Sequence, residues 1–570
     1  GPRLHFCHES ILGVPLKLRG LRAAGIWLPI GLLVFSFSTS FGIVNPLNIA
    51  WLERGDMAAH FMGWHFFRKS DWGFPIGLNP NYGLELGSSI VFSDSIPLLA
   101  LLFKPFDTFL PATFQYFGMW LLLCFVLQAF FAQKLITLMT SDYRIQIPGV
   151  LLLALAPIMI ERSKVHLSLS GHFLVLAALY VCLRVGTSSR RVWWCLLLCC
   201  AASVHAYILV MVLAIWFADV SGRYFQGQIE AREAVIEVFF LFCLLAIVTW
   251  QIGYFVVGSG VFEDGYGYFR MNLMAPFDAY GWSHILKSQM SGGDYEGFSF
   301  PGLGVWLAAI FASPAMLKKS LGRGHFPPAR RNALAVVLFG MLIYAISNKV
   351  GFGHHTFEIP LPDSVVELAS VFRASGRFSW PVVYVCTLAV IWGIVRGYPR
   401  AAAIALLSVF GLIQVMDTGA QFRYLQQLNA APPSASWSDE LTTPFWSTAA
   451  ERYTKLRWLP TENKSESWKR LAMVAAKHGL ATDAVYVSRI PPESLVLERQ
   501  TAAFTKTQGW ETDTLYVMSH DTGRRISLLA DPSRHLIAEV EGLTVLAPEW
   551  WACNDCSQMK TDRPTKPPGI

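Results

Sequence analysis

Long runs of apolar residues alternate with polar connectors along most of the chain. A straight transmembrane helix needs about 20 apolar residues, and shorter spans are tolerated where one end borders a polar cavity. The runs that predict spans lie at 24–44, 111–139, 145–160, 172–187, 192–205, 206–220, 234–257, 303–317, 333–348, 379–395 and 401–417. A hairpin near His205 is favoured over one long helix, because it keeps every basic connector on the same side. The pattern predicts about eleven transmembrane helices.

The polar connectors between these runs are of two kinds. The short basic ones contain Arg19, Arg22, Arg144, Arg190, Arg191, Arg223, Lys318 to Arg331, Arg396 and Arg400. Lys and Arg in short loops mark the cytoplasmic face, so we expect residues 1–23 and these connectors inside. The other connectors mix Asp, Glu, His, Arg and Trp. The chemistry of the protein is therefore expected on the extracytoplasmic face.

Three segments on that face are too long to be simple turns. Residues 45–110 include the apolar stretch Ile96–Phe106, which is too short to cross a bilayer and is expected to be interfacial or re-entrant. Residues 258–302 are rich in glycine and aromatic residues. Residues 418–570 follow the last predicted span, so the C-terminus is expected outside.

The segment 418–570 has the pattern of a small α/β domain. Strands are predicted at 484–488, 514–518 and 543–546, and an amphipathic helix at 464–479. About 150 residues suffice for one domain of this kind. The predicted fold class is a polytopic α-helical membrane protein, transmembrane over 24–417, with a small C-terminal extracytoplasmic α/β domain.

Composition supports a membrane protein and argues against a nucleic-acid partner. Only 15% of the 570 residues are charged and 53% are hydrophobic, whereas soluble domains are about 25% charged. The net charge of +7 follows from the basic cytoplasmic connectors. Most of the cysteines lie in apolar runs, but Cys553 and Cys556 lie in a polar tail where a disulfide is an open alternative.

The first candidate for catalysis is the acidic cluster Glu53-Arg-Gly-Asp56, which precedes a predicted helix over 57–68. On that helix Asp56, His60 and Trp64 share one face. A carboxylate partly desolvated at a membrane rim gains basicity. The alternative is that Glu53 and Asp56 are solvated charges or helix caps.

Two basic clusters on the same face are candidates for phosphate binding. Arg162, Lys164, His166 and His172 follow the third span closely, and such a group of cationic donors suits a phosphate. Snorkelling of Arg162 and Lys164 to lipid headgroups is the alternative.

The second basic cluster lies at the start of the tenth predicted span. Arg373 and Arg377 lie one helical turn apart and are placed to bind further anionic oxygens. His354 and His355 add titratable groups nearby, but adjacent side chains point apart, which disfavours a metal.

Other polar residues at the ends of spans are weaker candidates. They are expected to shape the substrate site or to be structural, and they are His205, Tyr207 and Glu296.

With these features the chain resembles the GT-C superfamily of integral-membrane glycosyltransferases. The resemblance lies in an acidic residue on the first extracytoplasmic loop, short paired spans, a large aromatic second loop and a C-terminal domain outside. The stretches Glu53–Asp56 and Arg373–Phe378 are similar to those of a bacterial GT-C-like family. The resemblance covers about residues 20–417. Glu53 and Asp56 are separated by two residues, where the superfamily often has one between its acids.

The resemblance implies inverting transfer of a hexose or pentose from a polyprenyl-phosphate carrier to a hydroxyl of a periplasmic glycan, glycolipid or lipopolysaccharide. Asp56 is then the general base, supported by Glu53, in a bacterial inner-membrane protein that needs no metal and no other cofactor. The donor phosphate is expected to be bound by Arg162, Lys164, His166, His172, Arg373 and Arg377. Substrate shaping is expected from His60, Trp64, His205, Tyr207, Glu296, His354 and His355.

Other functions remain open from the sequence. A ligase moving a whole glycan from a lipid pyrophosphate, or a membrane phosphatase, also needs arginines and histidines at the rim. A protein that only binds a lipid-linked glycan is a further alternative. A transporter is disfavoured, because no repeated halves and almost no charges within the spans are visible.

Overall fold

The computed structural model describes residues 25–184, 186, 189–258, 265–288, 292–317, 328–430, 432–491, 509–528 and 530–550. The predicted cytoplasmic N-terminus, most of the basic connector that begins at Lys318, and the pair Cys553 and Cys556 lie outside the described residues.

The described chain is mostly helical, as the apolar runs predict. The helices up to the end of the membrane domain are α1 (Trp27–Ser38), α2 (Gly55–Lys69), α3 (Pro97–Phe103), α4 (Phe117–Thr137), α5 (Tyr143–Ala154), α6 (Pro157–Arg162), α7 (Phe173–Leu183), α8 (Arg190–Ala202), α9 (Ala206–Phe225), α10 (Ala231–Ile252), α11 (Leu303–Leu317), α12 (Pro328–Ile346), α13 (Asp363–Ser370), α14 (Trp380–Gly397) and α15 (Arg400–Leu428). A two-stranded antiparallel hairpin, β1 (Lys349–Phe352) and β2 (His355–Glu358), lies between α12 and α13.

Seven helical segments of the described chain are long and apolar enough to cross a membrane, and α5 and α6 together count as one of them. These segments coincide with predicted spans, so the protein is a multi-pass membrane protein. The remaining predicted spans coincide with the shorter helices α1, α7, α8 and α11. Whether these also cross stays a prediction, and so does the total of about eleven.

The membrane helices form one bundle. Helix α4 packs against α1, α5 and α7, helix α9 packs against α7, α8 and α12, and helix α11 packs against α14 and α15. Helix α15 has 29 residues, more than a bilayer of about 30 Å requires at 1.5 Å per residue. It therefore continues past the predicted boundary at 417 as far as Leu428.

The C-terminal domain is a mixed five-stranded sheet with helices against it. Its elements are α16 (Pro444–Ala450), β3 (Lys455–Leu459), α17 (Trp468–His478), β4 (Ala481–Thr482), β5 (Thr514–Met518), α18 (His520–Ser527), β6 (Leu536–Val540) and β7 (Leu543–Ala547). The strand order is β4-β3-β5-β7-β6, with β3 parallel to both β4 and β5 and the other pairs antiparallel. Glu541 and Gly542 have positive φ, as the tight turn of a β-hairpin requires. The predicted fold class, including the small α/β domain, is confirmed.

The C-terminal domain is docked on the long loop formed by residues 45–110. Helix α17 packs against α2, and the loop extends the edge of the sheet, since Gly83 N–H donates to Thr482 O at 2.8 Å and Thr482 N–H donates to Asn81 O at 3.0 Å. Arg457 on β3 also pairs with Glu85 of the loop.

One strand prediction is wrong. Residues 484–488 are extended but form no strand, because their polar backbone groups bond to loops rather than to a ladder. Val485 O accepts from Lys464 N–H at 2.8 Å, and Ser488 N–H donates to Phe92 O at 2.7 Å. The segment therefore connects the C-terminal domain to the membrane domain.

Candidate active site

A cavity of about 1030 Å³ lies where the long segment 45–110, the start of α9, the end of α10 and the C-terminal domain meet. Its lining contains both charged and apolar side chains. The acidic and basic residues include Asp56, Asp94, His166, Glu296, Arg373 and Arg377. The apolar and aromatic residues include Leu209, Val210, Tyr254, Phe255, Val257 and Phe372. The cavity therefore suits a ligand with a charged head and an apolar tail.

Asp56 is placed at the cavity by the start of α2. Gly55 just before it has φ of +50°, a left-handed conformation that favours glycine. The Asp56 carboxylate is 26% exposed, and its Oδ2 lies 3.4 Å from Nδ1 of His166. Tyr486, from the C-terminal domain, lines the same cavity. Asp56 is thus accessible from the cavity and lies beside His166.

Behind His166 lies a buried ion cluster formed by Arg162, Glu296 and Arg377. Glu296 accepts hydrogen bonds from Arg162 Nη1 at 2.7 Å and from Arg377 Nε and Nη2 at 3.0 and 2.9 Å. Glu296 Oε1 also lies 3.8 Å from His166 Nε2. Two guanidinium groups share one carboxylate, so the cluster keeps one net positive charge next to the cavity.

The protonation of this cluster follows from burial and charge. Arg377 and Arg162 overcome the effect of burial and hold the pKa of Glu296 far below its usual range. Burial, together with Arg377 and Arg162 and against the opposing effect of Glu296, lowers the pKa of His166 to about 3. His166 is therefore a neutral imidazole beside Asp56 at neutral pH.

Asp94 and His205 form a second carboxylate–imidazole pair on the cavity wall. Nδ1 of His205 accepts from Tyr207 N–H at 3.2 Å, so the neutral ring carries its proton on Nε2. That nitrogen lies 3.5 Å from Asp94 Oδ1. Burial lowers the pKa of His205 to about 4, although Asp94 opposes this. The pair presents both a donor and an acceptor to the cavity.

Two further arginines line the cavity. Arg373 lies between α13 and α14 with its guanidinium 5.8 Å from the ring centre of Phe269. Arg489, from the C-terminal domain, donates to the backbone oxygen of Val371. Next to them, Tyr207 O–H accepts from Ala374 N–H at 2.9 Å, and the Tyr207 ring packs on Arg377.

His60 also lines the cavity, as the helical spacing from Asp56 predicts. Its Nδ1 lies 2.9 Å from Ser93 O and its Nε2 lies 3.3 Å from Val165 O. His60 thus connects α2 to the segment that carries Asp94.

Several residues proposed from the sequence do not line the cavity. The Glu53 carboxylate accepts from Ser438 N–H and Asp439 N–H at 2.8 and 3.1 Å, so it fixes the start of the C-terminal domain and does not support Asp56. Trp64 is buried, and its Nε1 donates to Phe114 O. It belongs to the core of the first loop.

The basic cluster after the third span is divided between cavity and core. Only His166 reaches the cavity lining. Arg162 is held one layer behind by Glu296. Lys164 pairs with Glu161 at 2.6 Å, and His172 Nδ1 lies 2.8 Å from the Tyr384 hydroxyl within the bundle.

The adjacent histidines lie away from the site. His354 and His355 are exposed at and beside the tip of the β1–β2 hairpin. They do not contribute to the cavity lining.

Three residues of the site were missed from the sequence: Asp94, Tyr486 and Arg489. Asp94 stands between two serines just before an apolar stretch, which is the one local signal for it. Tyr486 lies in the segment 484–488 that was predicted as a strand and Arg489 directly follows it, and nothing local shows that this part of the chain faces the membrane domain.

Among the residues that the structure describes, no group of three or more His, Cys, Asp or Glu side chains has the arrangement of a metal site. The expectation of metal-independent chemistry stays a prediction.

The fold and the cavity define a multi-pass membrane protein with a cavity of mixed polar and apolar lining next to an α/β domain. The chain belongs to the family described as a domain of unknown function, DUF6311, whose model matches residues 28–419. The model of the DUF6311 C-terminal domain matches residues 445–548. No curated protein sequence matches the chain at a significant level.

Solved structures of membrane proteins are similar to this chain. One is the archaeal oligosaccharyltransferase AglB from Archaeoglobus fulgidus in complex with an inhibitory peptide and a dolichol-phosphate, with 12% identity, a TM-score of 0.41, and coverage of 94% of this chain and 75% of that one. Another is ArnT from Cupriavidus metallidurans bound to undecaprenyl phosphate, with 10% identity, a TM-score of 0.41, and coverage of 93% and 97%.

Proposed function

We propose that this protein is a membrane glycosyltransferase that moves a sugar from a polyprenyl-phosphate carrier to a hydroxyl of an extracytoplasmic acceptor. The observation that carries the proposal is the mixed lining of the cavity. Carboxylates and arginines line it together with apolar side chains at the start of α9 and just after the end of α10. Such a lining suits a lipid phosphate, which has a charged head and an apolar tail.

Asp56 is the proposed general base. The acceptor oxygen attacks the anomeric carbon while its proton passes to the Asp56 carboxylate, and the bond from the anomeric carbon to the phosphate oxygen breaks. Attack opposite the leaving group inverts the configuration. General-base assistance of this kind contributes roughly 10²- to 10⁴-fold.

The departing lipid phosphate is stabilised by positive charge. Arg373, Arg377 and Arg489 line the cavity, and the cluster that Arg377 forms with Arg162 and Glu296 keeps one net positive charge. Fixed cationic donors stabilise charge that develops on a leaving phosphate. Arg162 acts through Glu296 in this proposal rather than by touching the phosphate.

The pair Asp94 and His205 is suited to bind sugar hydroxyls. A carboxylate accepts from a hydroxyl and the His205 Nε2–H donates to one. Asp94 is 28% exposed and thus accessible from the cavity. We assign this pair to sugar recognition, in a bacterial inner-membrane protein whose cavity faces the periplasm.

The test is turnover of a panel of polyprenyl-phosphate hexoses and pentoses by purified protein in nanodiscs. We expect Asp56→Asn to lower the initial rate about 100-fold or more, because the general base is lost. The matched control is Asp71→Asn, which changes an exposed acid of the same loop outside the cavity. Its rate should stay within about twofold of wild type, since its backbone contact to Lys104 is kept.

Three results would contradict the proposal. Equal rates for Asp56→Asn and wild type would remove Asp56 from the mechanism. Turnover of lipid-pyrophosphate glycans alone would identify a glycan ligase, and consumption of no lipid-linked donor would identify a binding protein.

A further inference from the structure

The hairpin of β1 and β2 has one packed face and one free face. Gly351 and Thr356 are opposite each other in the register, and both lie against Arg270, whose Nη2 donates to Thr356 Oγ1 at 2.8 Å. Side chains alternate between the two faces of a strand, so Phe352, next to Gly351, and Phe357, next to Thr356, lie on the other face. These two rings are 52% and 62% exposed. The free face of the hairpin is therefore apolar.

The hairpin is held firmly, so its free face cannot turn inward. Asn272 Nδ2 donates to Gly353 O at 2.8 Å, and Asn272 Oδ1 accepts from Gly353 N–H at 3.0 Å. Asn272 and Arg270 in turn donate to the Asp294 carboxylate at 2.7 and 3.2 Å. Asp294 lies on the same short helical turn as Glu296. The hairpin is thus attached to the turn that carries the ion cluster.

Helix α13, which follows the hairpin, has a second free apolar surface. Val365 and Leu368 are three residues apart and share one face of the helix, and both are exposed, Leu368 by 74%. Asp363 and Glu367 are four residues apart and lie on the opposite face. A short helix with one charged and one exposed apolar face has the pattern of a helix that lies in a membrane interface.

Both surfaces adjoin the lipid-facing side of α12. Val336, Phe339 and Ile343 are exposed and lie three and four residues apart, so they form one apolar face of this membrane-spanning helix. Helix α12 ends three residues before β1 begins. In its last turn the Tyr344 hydroxyl donates to Ala369 O of α13 at 2.6 Å. The hairpin and α13 are thus attached to the end of a helix whose exposed face meets lipid.

We infer that the hairpin and α13 form an interfacial anchor, which rests in the leaflet on the cavity side and whose apolar surface, covered by lipid, consists of Phe352, Phe357, Val365 and Leu368. The continuity with the exposed face of α12 identifies lipid as the occupant. Exposed apolar patches of this kind mark sites of contact with a membrane or a protein. The inference concerns a surface outside the cavity and does not depend on the proposed chemistry.

The anchor has a consequence for the cavity. Val371, Phe372 and Arg373 line the cavity and follow directly after α13. An interfacial helix buries its apolar face about 5–10 Å into the boundary between headgroups and acyl chains. The anchor therefore holds the edge of the cavity that carries Arg373 near the level of the lipid headgroups.

The test is photocrosslinking from the protein to lipid. The photoreactive residue p-benzoylphenylalanine replaces Phe357 or Leu368, one at a time, in the full chain in phospholipid nanodiscs. After illumination, mass spectrometry identifies what is attached. We expect phospholipid adducts at both positions, on acyl carbons close to the headgroup, because the anchor lies at the interface.

Two control positions calibrate the yield. Phe339 on α12 should give phospholipid adducts on carbons deeper in the acyl chain. Leu528 is 81% exposed in the C-terminal domain, next to α18, which packs against β7 rather than against the strands that meet the loop 45–110. It should give at least tenfold less lipid adduct than Phe357 or Leu368.

Two results would overturn the inference. One is the absence of lipid adducts at both anchor positions, or a yield no higher than at Leu528, while Phe339 is labelled. The other is an adduct to a second copy of the chain or to another segment of the same chain, which would show that protein covers this surface. Neither result requires turnover of a sugar donor, so the proposed function would stand or fall separately.

Discussion

At the scale of single residues, Glu296 determines the charge balance of the cavity. It is buried, and it pairs with Arg162 and Arg377 while its Oε1 lies 3.8 Å from His166 Nε2. Without it, two guanidinium groups would lie unpaired in a desolvated site, which is strongly unfavourable. With it, one net positive charge remains, and His166 beside Asp56 stays neutral.

Neutral histidines at the cavity predict a loss of stability in acid. His205 takes up a proton in the unfolded chain near pH 6.5 but in the folded protein only near pH 4. Between these values the unfolded state binds more protons, so the free energy of unfolding falls as the pH falls. From pH 6.5 to 5.0 this one residue accounts for about 2 kcal/mol. The groups that act on it are Asp94, Arg377, His166 and His60.

The measurement compares thermal unfolding of wild type and His205→Asn at pH 6.5 and 5.0. Asparagine keeps an acceptor near the position of Nδ1 for Tyr207 N–H, but it does not titrate. The variant should lose less stability in acid than wild type. An identical acid loss in the two proteins would show that His205 is already protonated in the folded state.

At the scale of elements, two glycines bring the ion cluster together. The short helical turn Gly292–Gly297 carries Glu296, and the turn Ser375–Ser379 carries Arg377. A Cβ on Gly376 would lie 2.5 Å from the Gly297 Cα. Only glycine at this contact lets the two backbones approach closely enough for Glu296 to reach Arg377.

Gly376→Ala should therefore separate the two turns. We expect the free energy of unfolding to fall by about 2 kcal/mol or more, because a backbone must move and a buried ion pair is stretched. Gly340→Ala in α12 is the control, since a Cβ there meets nothing within 4 Å. It should leave stability equal or slightly raised. Equal melting temperatures for the two variants would contradict the close contact.

The elements themselves are largely predictable from the sequence. The apolar runs predict the membrane helices because a bilayer imposes length and composition on each span. The strand predicted at 484–488 is wrong. Alternating apolar residues indicate that alternate side chains are buried, but they do not indicate that a neighbouring strand is present to pair with the backbone. Val485 and Val487 are buried as a strand would require, yet their neighbours are loops.

At the scale of the whole molecule, the site is assembled from distant parts of the chain. His60, His166, Arg373 and Arg377 were found from local clusters of charge next to spans, and the cavity unites them with Asp56. Lys164 and His172 fit the same local pattern but do not line the cavity. Lys164 pairs with Glu161, and His172 contacts the Tyr384 hydroxyl. No local signal reports such partners, because they come from tertiary packing.

The same reasoning explains the missed residues. Asp94 and Arg489 are isolated charges in the sequence, and they gain a role only where the first loop and the C-terminal domain meet. Local clusters of charge mark residues that are close in sequence. Charges that two domains bring together leave no such mark in the sequence.

The central claim is that this cavity binds a polyprenyl phosphate, and photocrosslinking tests it most directly. A polyprenyl phosphate with a diazirine near the head should label the start of α9 and the residues just after α10, at Leu209, Val210, Tyr254, Phe255 and Val257, because these side chains line the cavity. Excess unlabelled polyprenyl phosphate should abolish the labelling, and a polyprenol probe without phosphate should label these positions weakly. Labelling that is confined to other faces of the bundle, or that is equal for the two probes, would contradict the account.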